Sequence, residues 1–337
     1  MDINKLVVEK ILKVAKEQNL TMEDLFNATK RDRKYFDDVM SCKEDIDIFM
    51  FFRICKLFKI SSEDFFKEFN DMRKKIWYNT LMKIGIIGLG LIGGSIFKAL
   101  SEFHEVVGIS HSQKGLQENI TDEISALKDC DIVFVATHMN KTVATLEQLN
   151  EILDEDTVVA DVCSLKEFLA DKTYNFNFVP THPMAGTEKT GFENSFKELF
   201  NGAKWVVCKK QCPENLKKVI EQMGAQIIFA SPKEHDEAAA LISHMPMVIA
   251  QAIFKSAEGN DLALKLASSG FRDMTRLAIS NEEMAQDMVN MNYENIQNAL
   301  LKLYSSVGDL IKNDYRNEVC DIRKQRLQMY KDGKNIL

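Results

Sequence analysis

The stretch KIGIIGLGLIGGSIFKAL, Lys83 to Leu100, decides the fold. It begins as a short β-branched run and ends in a helical pattern, with a GxGxxG of Gly88, Gly90 and Gly93 between them. The first glycine allows a tight turn, the second lets backbone approach a pyrophosphate, and the third lets helix and strand pack closely. The helix that opens there offers unpaired N–H groups and a positive dipole end to phosphate. A dinucleotide site is therefore expected, with Gly88, Gly90, Leu91, Ile92 and Gly93 against the cofactor. A glycine-rich structural turn is the plainer reading, but it does not account for the complete strand–turn–helix around the glycines.

Further short apolar runs follow: EVVGIS from Glu105, DIVFVAT from Asp131, TVVADV from Thr157, FNFVP from Phe176, AKWVVCK from Ala203 and AQIIFA from Ala225. Helical or loop segments separate them, which argues for a parallel sheet with helices on its faces. From His235 the strand signals stop. Two long helical patterns take over, HDEAAALISHMPMVIAQAIFKSA and ENIQNALLKLYSSVGDLIKNDY. Their apolar residues lie on several faces, as in a bundle or a dimer interface. Upstream, Ile3, Val7, Ile11 and Val14 recur at helical spacing, Thr21 reads as an N-cap, and Ser61 or Ser62 as another. The expected architecture is α/β: a small all-α domain over 1–75, a Rossmann-type parallel sheet domain over 82–233, and an all-helical domain over 234–337.

With 43 basic and 50 acidic residues the net charge is −7, which argues against a whole-protein role on nucleic acid or a membrane surface. The seven cysteines are scattered, with no zinc spacing, so no metal is expected and free thiols in a reducing cytoplasm are. The N-terminus carries acids among its apolar residues, unlike a signal peptide. No apolar run reaches the length of a membrane span.

Two questions remain: which cofactor, and which substrate. An NAD site usually has an acid about 20 residues beyond the glycines, on the ribose hydroxyl. Here Ser110, His111 and Ser112 stand at that place. The missing carboxylate removes a repulsion toward a 2′-phosphate, so Ser110 favours NADP over NAD. Thr137, ending the DIVFVAT strand, joins the cofactor set. For the substrate, three segments gather polar groups. ADVCSLK supplies Asp161, Ser164 and Lys166; THPMAGTEK supplies His182, Thr187, Glu188 and Lys189; SSGFRDMTR supplies Arg272, Asp273 and Arg276. A histidine suits general-base work near neutral pH, a serine can orient a substrate hydroxyl, and paired arginines suit carboxylates. Together they describe oxidation of a hydroxyl on a carboxylate-bearing substrate. Each also has an ordinary reading: His182 as a strand cap, Ser164 as a helix cap, Arg272 and Arg276 as a solvated helix face, His235 and Asp236 as another cap, and His244 as a core histidine.

GIIGLGLIGGS, THPMAGTEKTG, ISHMP and SSGFRDMTR resemble the prephenate/arogenate dehydrogenase family of tyrosine biosynthesis, in the family's order and over roughly residues 82–330. The resemblance implies a Rossmann-type domain followed by a helical dimerisation domain, hence a homodimer, and NAD(P)-linked oxidative decarboxylation. It implies that His182 accepts the ring-hydroxyl proton and Ser164 holds that hydroxyl. Arg276 then grips a substrate carboxylate with Arg272 beside it, and Thr187, Glu188 and His244 line the pocket. Prephenate is the expected substrate. Met247 stands where many prephenate-using members have a second histidine, which with Ser110 is similar to the NADP-linked, arogenate-using branch.

The first 75 residues are an addition to that family core. They resemble a lambda-repressor-like helix-turn-helix domain, with RDRKYFDDVM as recognition helix. Asp32, Asp37 and Asp38 weaken it for DNA, so a packing or oligomerisation module is at least as good a reading, and nucleic acid is the minor one. Two rival functions stand against the enzyme: a nicotinamide-sensing regulator, and a dehydrogenase of the 3-hydroxyacid type.

Overall fold

The computed structural model describes residues 3–61, 64–65, 81–187, 189–312 and 314–331. The chain divides into two compact units, Met1–Thr80 and Leu81–Leu337.

Among the described residues the first unit is helical, with α1 (Ile3–Glu17), α2 (Met22–Thr29), α3 (Arg33–Met40) and α4 (Ile48–Phe58). Thr21 caps α2 in a reciprocal box with Asp24, and Ser61 accepts from the Asp64 amide at 2.9 Å; Ser62 lies outside the described residues. Val7, Ile11, Leu25, Phe36, Met50, Ile54 and Phe58 form the core. The arginines around α3 are held by acids of the same unit. Arg31 pairs with Asp47 at 2.6 Å, and Arg33 with Glu23 at 2.7 Å and Asp37 at 3.3 Å.

The second unit is built on an eight-stranded sheet in the order β3-β2-β1-β4-β5-β6-β7-β8. Its strands are β1 (Lys83–Ile87), β2 (Glu105–Ile109), β3 (Ile120–Thr121), β4 (Ile132–Val135), β5 (Val158–Asp161), β6 (Asn177–Met184), β7 (Lys204–Val207) and β8 (Gln226–Phe229). The first six run parallel. β7 is antiparallel to β6, and β8 follows β7 in parallel. This corrects the expectation of one continuing parallel series. The segment between β6 and β7 does not cross the sheet as a helix. It lies on α5 (Leu91–Leu100), where Lys98 Nζ donates to the Ser195 carbonyl at 2.8 Å and Ser95 Oγ accepts from the Phe196 amide at 3.1 Å. Without a helical crossover the next strand returns in the opposite direction.

Strand β6 changes partners halfway. Its residues Asn177 to Pro180 pair with β5, and Thr181 to Met184 pair with β7. Pro180 has no N–H to give, so a proline sits at the switch. The second half of β6 thus extends beyond the parallel sheet and carries His182 with it.

Two apolar layers cover the sheet. One gathers Ile84, Ile86, Phe97, Phe134, Trp205 and Leu216; the other Val133, Val135, Leu146, Leu149, Val159 and Phe178. The helices α6 (Met139–Leu149) and α7 (Glu214–Gln222) belong to these layers. Beyond β8 the described chain is helical: α8 (Pro232–Ala239), α9 (Met245–Ser256), α10 (Asp261–Lys265), α11 (Ser269–Met274), α12 (Glu282–Met291), α13 (Tyr293–Lys312) and α14 (Tyr315–Lys331). A π-turn, Ala240–His244, joins α8 to α9. By length and composition alone, Pro232–Ser256 is a helix able to cross a membrane. Its Asp236 is bonded to the loop after β5, which places it as a packed helix of this unit.

Candidate active site

The glycine turn has the geometry its sequence predicts. Gly88 adopts φ +89°, and a Cβ there would meet the Ala136 carbonyl oxygen at 2.5 Å. A Cβ on Gly93 would run into the Gly88 carbonyl and lie 2.9 Å from the Ala136 methyl. Gly90, the N-cap of α5, faces open space, with nothing within 4 Å of an added Cβ. Two glycines are thus required by close packing, and the third leaves room at a helix N-terminus. That is the arrangement a pyrophosphate needs, and Leu91 and Ile92 form the first turn beside it. Thr137 follows β4 against the Gly88 turn and bonds Thr142 Oγ1 at 3.2 Å.

At the end of β2, Ser110 Oγ lies 3.3 Å from Ser112 Oγ. His111 is exposed and 3.9 Å from Asp122, whose carboxylate also takes Lys114 Nζ at 2.8 Å. An acid missed in the sequence therefore stands here, delivered by β3 and neutralised by Lys114. Two residues are too short a strand to leave an alternating pattern, so nothing in the sequence announced it.

The side of the site that carries His182 is organised by β5, β6 and α8. Asp161, at the end of β5, accepts from the Cys163 amide at 3.0 Å, the Thr181 amide at 3.1 Å and Lys166 Nζ. Lys166 Nζ also donates to the Thr181 carbonyl at 2.7 Å. This buried knot fixes the backbone immediately before His182. Asp161 and Lys166 are fully enclosed, so they act as the frame of the site. Ser164 is partly buried between them. It caps no helix, and its hydroxyl makes no hydrogen bond among the described residues.

His182 Nδ1 lies 2.9 Å from His235 Nε2, and His235 Nδ1 lies 2.7 Å from Asp236 Oδ1. The Asp236 carboxylate accepts from the backbone amides of Lys166 and Glu167, both at 2.9 Å. Proton positions follow from these partners. A carboxylate holding two amide donors accepts only, so His235 carries its proton on Nδ1. Its Nε2 is then bare and must accept, so His182 carries its proton on Nδ1. That leaves the His182 Nε2 lone pair free. Burial holds His182 well below its ordinary value of 6.5, and His235, Lys166 and His244 push the same way. The imidazole is a neutral base with a defined accepting atom.

His235 and Asp236 are therefore not a helix cap, as their sequence position suggested. Ser231 caps α8 in a box with Glu234, and the pair lies one turn inside the helix. His244 is fully buried and held to about 4, chiefly by burial. Its Nδ1 lies 3.1 Å from Asn292 Nδ2, a residue the sequence did not single out. Met247 is buried with Met139, Cys163, Leu165 and Met288 in an apolar cluster.

The remaining expected residues are less gathered. Thr187 is exposed and accepts from the Lys189 amide at 3.2 Å; Glu188 lies outside the described residues. Arg272 is exposed on α11, 3.7 Å from Asp273. Arg276 is exposed at the start of a 3-10 turn, without an ion pair among the described residues. No cluster of metal ligands occurs among the described residues.

A glycine turn at a helix N-terminus, strand ends carrying a neutral histidine base, and a following helical region define a Rossmann-type, nicotinamide-dependent dehydrogenase. Residues 101–229 match the family model "Prephenate dehydrogenase, nucleotide-binding domain", and 231–322 match "Prephenate dehydrogenase, dimerization domain". The Bacillus subtilis (strain 168) prephenate dehydrogenase is 32% identical over 241 residues, 63% of this chain and 64% of that protein. The crystal structure of Synechocystis arogenate dehydrogenase is similar at 30% identity and TM-score 0.60, covering 74% of this chain and 98% of that one. Prephenate dehydrogenase from A. aeolicus, in complex with hydroxyphenyl propionate and NAD+, is similar at 26% identity and TM-score 0.65 with the same coverage. The chain belongs to the prephenate/arogenate dehydrogenase family.

Proposed function

We propose that the chain oxidatively decarboxylates prephenate to 4-hydroxyphenylpyruvate. The observation that carries this reading is the His182–His235–Asp236 chain, which leaves one bare nitrogen at the end of β6. A bound nicotinamide dinucleotide supplies the hydride acceptor. His182 Nε2 takes the proton of the ring hydroxyl as hydride leaves the carbon that bears it. The bond to the ring carboxylate breaks, carbon dioxide departs, and the electron pair makes the ring aromatic. His182 then returns the proton to the phenolate oxygen, so the hydroxyl proton is lent and restored. Positive charge on His182 is shared through His235 with Asp236, which the two amides hold in place. Ser164 orients the hydroxyl, and Arg276 with Arg272 receives a substrate carboxylate. Thr187 and Glu188 belong to the pocket loop.

Arogenate is the second reading, favoured by Met247. Its thioether is neither a donor nor a cation, and arogenate carries an ammonium where prephenate has a keto oxygen. For the cofactor, Ser110, Ser112, His111 and Lys114 offer hydroxyls and cations to a 2′-phosphate, which favours NADP, while the Asp122 carboxylate favours NAD. A homodimer in a reducing cytoplasm goes with this reading, supported by the match to a dimerization domain and by the free cysteines.

Initial rates on purified protein test it, pairing prephenate and arogenate each with NAD and NADP. Prephenate is expected to give the highest rate. Preference for arogenate moves the chain to the other branch. Folded protein that binds dinucleotide yet turns over neither substrate overturns the enzyme reading.

A further inference from the structure

His244 sits where the π-turn meets α9, with no accessible surface, and its Nε2 has no partner among the described residues. Buried polar atoms are nearly always bonded, so an orphan beside a reaction site asks what completes it. The answer depends on which ring nitrogen carries the proton, and Asn292 decides that. Its Nδ2 lies 3.0 Å from the Asp236 carbonyl oxygen and 3.1 Å from His244 Nδ1. A backbone carbonyl only accepts, so the amide nitrogen, not its oxygen, must face it. Asn292 Oδ1 is turned away and accepts from Asn295 Nδ2 at 2.9 Å. One hydrogen of the amide goes to Asp236 and the other points at His244. A proton on His244 Nδ1 would oppose a donor with a donor. His244 Nδ1 is therefore bare, and Nε2 carries the hydrogen.

We propose that Asn292 is a positioning residue that locks His244 in its Nε2–H tautomer, making it a fixed, uncharged hydrogen-bond donor to a carboxylate or carbonyl oxygen of the substrate. The substrate half of this inference rests on the dehydrogenase reading; the tautomer half does not. The two histidines then work as opposites. His182 presents a lone pair because an acid stands behind its partner His235. His244 presents a hydrogen because an amide stands behind it. Charged and titratable neighbours of His244 are His235 and Asp236 of α8 and His182 of β6.

The test is a long-range proton–nitrogen NMR spectrum of the full chain labelled with 15N-histidine, with His244 assigned by its loss in His244→Gln. A protonated Nε2 and bare Nδ1 are expected in the native chain, and a protonated Nδ1 in Asn292→Asp, whose carboxylate accepts where the amide donated. Steady-state rates with prephenate add the substrate side. His244→Leu is expected to lower kcat/KM by about tenfold to a hundredfold, the worth of one donor to a charged oxygen. His244→Gln is expected to recover most of that loss, because its amide nitrogen falls near the Nε2 position. A proton on Nδ1 in the native chain, or equal rates for His244→Leu and the native enzyme, overturns the proposal. Failure of the dehydrogenase reading looks different: the native chain turns over no prephenate while the tautomer spectrum is as expected.

Discussion

At the scale of single residues, the site turns on where protons are held. Asp236→Asn keeps the shape of the side chain but replaces an acceptor with an amide, so His235 loses the partner that keeps its proton on Nδ1. His182 then loses its defined free nitrogen. The expected result is a fall in kcat of about a hundredfold to ten-thousandfold, the usual range for general-base catalysis, with cofactor affinity little changed. Comparing kcat with a dinucleotide titration checks it. The acid limb of the kcat/KM profile is expected below pH 6.5, because burial, with His235, Lys166 and His244 acting in the same direction, disfavours protonated His182. A limb at or above 6.5 would argue against this environment for the base. His182 itself was legible in the sequence: a strand ending in a histidine before a polar loop points to a ligand edge. His235, Asp236 and Asn292 were not. Their partners lie 48 to 70 positions away, and no local pattern encodes such contacts. Ser231 and Pro232 also make the start of α8 look like an ordinary cap, which hid the pair one turn further in.

At the scale of elements, the β1–turn–α5 unit was the most legible part, because each glycine has a separate steric reason. Gly93→Ala puts a methyl into the Gly88 carbonyl and against Ala136. Strand and helix must then part, and dinucleotide affinity is expected to fall at least about tenfold, as read by quenching of intrinsic fluorescence. Gly90 is the informative control: its Cβ meets no protein atom, so Gly90→Ala is expected to fold normally and to lose affinity only through crowding of the phosphates. The direction of β7 was not legible. An apolar run of four residues reads the same whichever way it points, and direction is set by a connection that lies on α5 instead of crossing the sheet.

At the scale of the whole molecule, buried histidines couple stability to pH. His244 is held to about 4 against an ordinary 6.5, so between these values the unfolded chain binds more protons than the folded one. Stability is then fully present above pH 6.5 and is lost on acidification toward pH 4. The gap corresponds to about 3 kcal/mol, and His182 acts in the same direction. A Tm series from pH 7.5 to 4.5 is expected to fall, and to fall less in His244→Gln. The helical region also leaves large side chains in solvent: Tyr304 is 82% exposed, Ile311 74% and Leu266 72%. All three lie in the region that matches a dimerization domain, so cover by a second copy is expected. Light scattering is expected to give twice the 38.5 kDa chain mass, and Ile311→Arg to weaken that association.

The change of partner along β6 has a kinetic meaning as well. His182 rides on a ladder with β7, and the Lys166 ammonium is bonded to the peptide before it. On the proposed reading, the base is therefore held in position by the resting fold, before anything binds. On that reading, encounter with substrate meets a finished acceptor. Raising solvent viscosity is then expected to leave the proton transfer at His182 untouched.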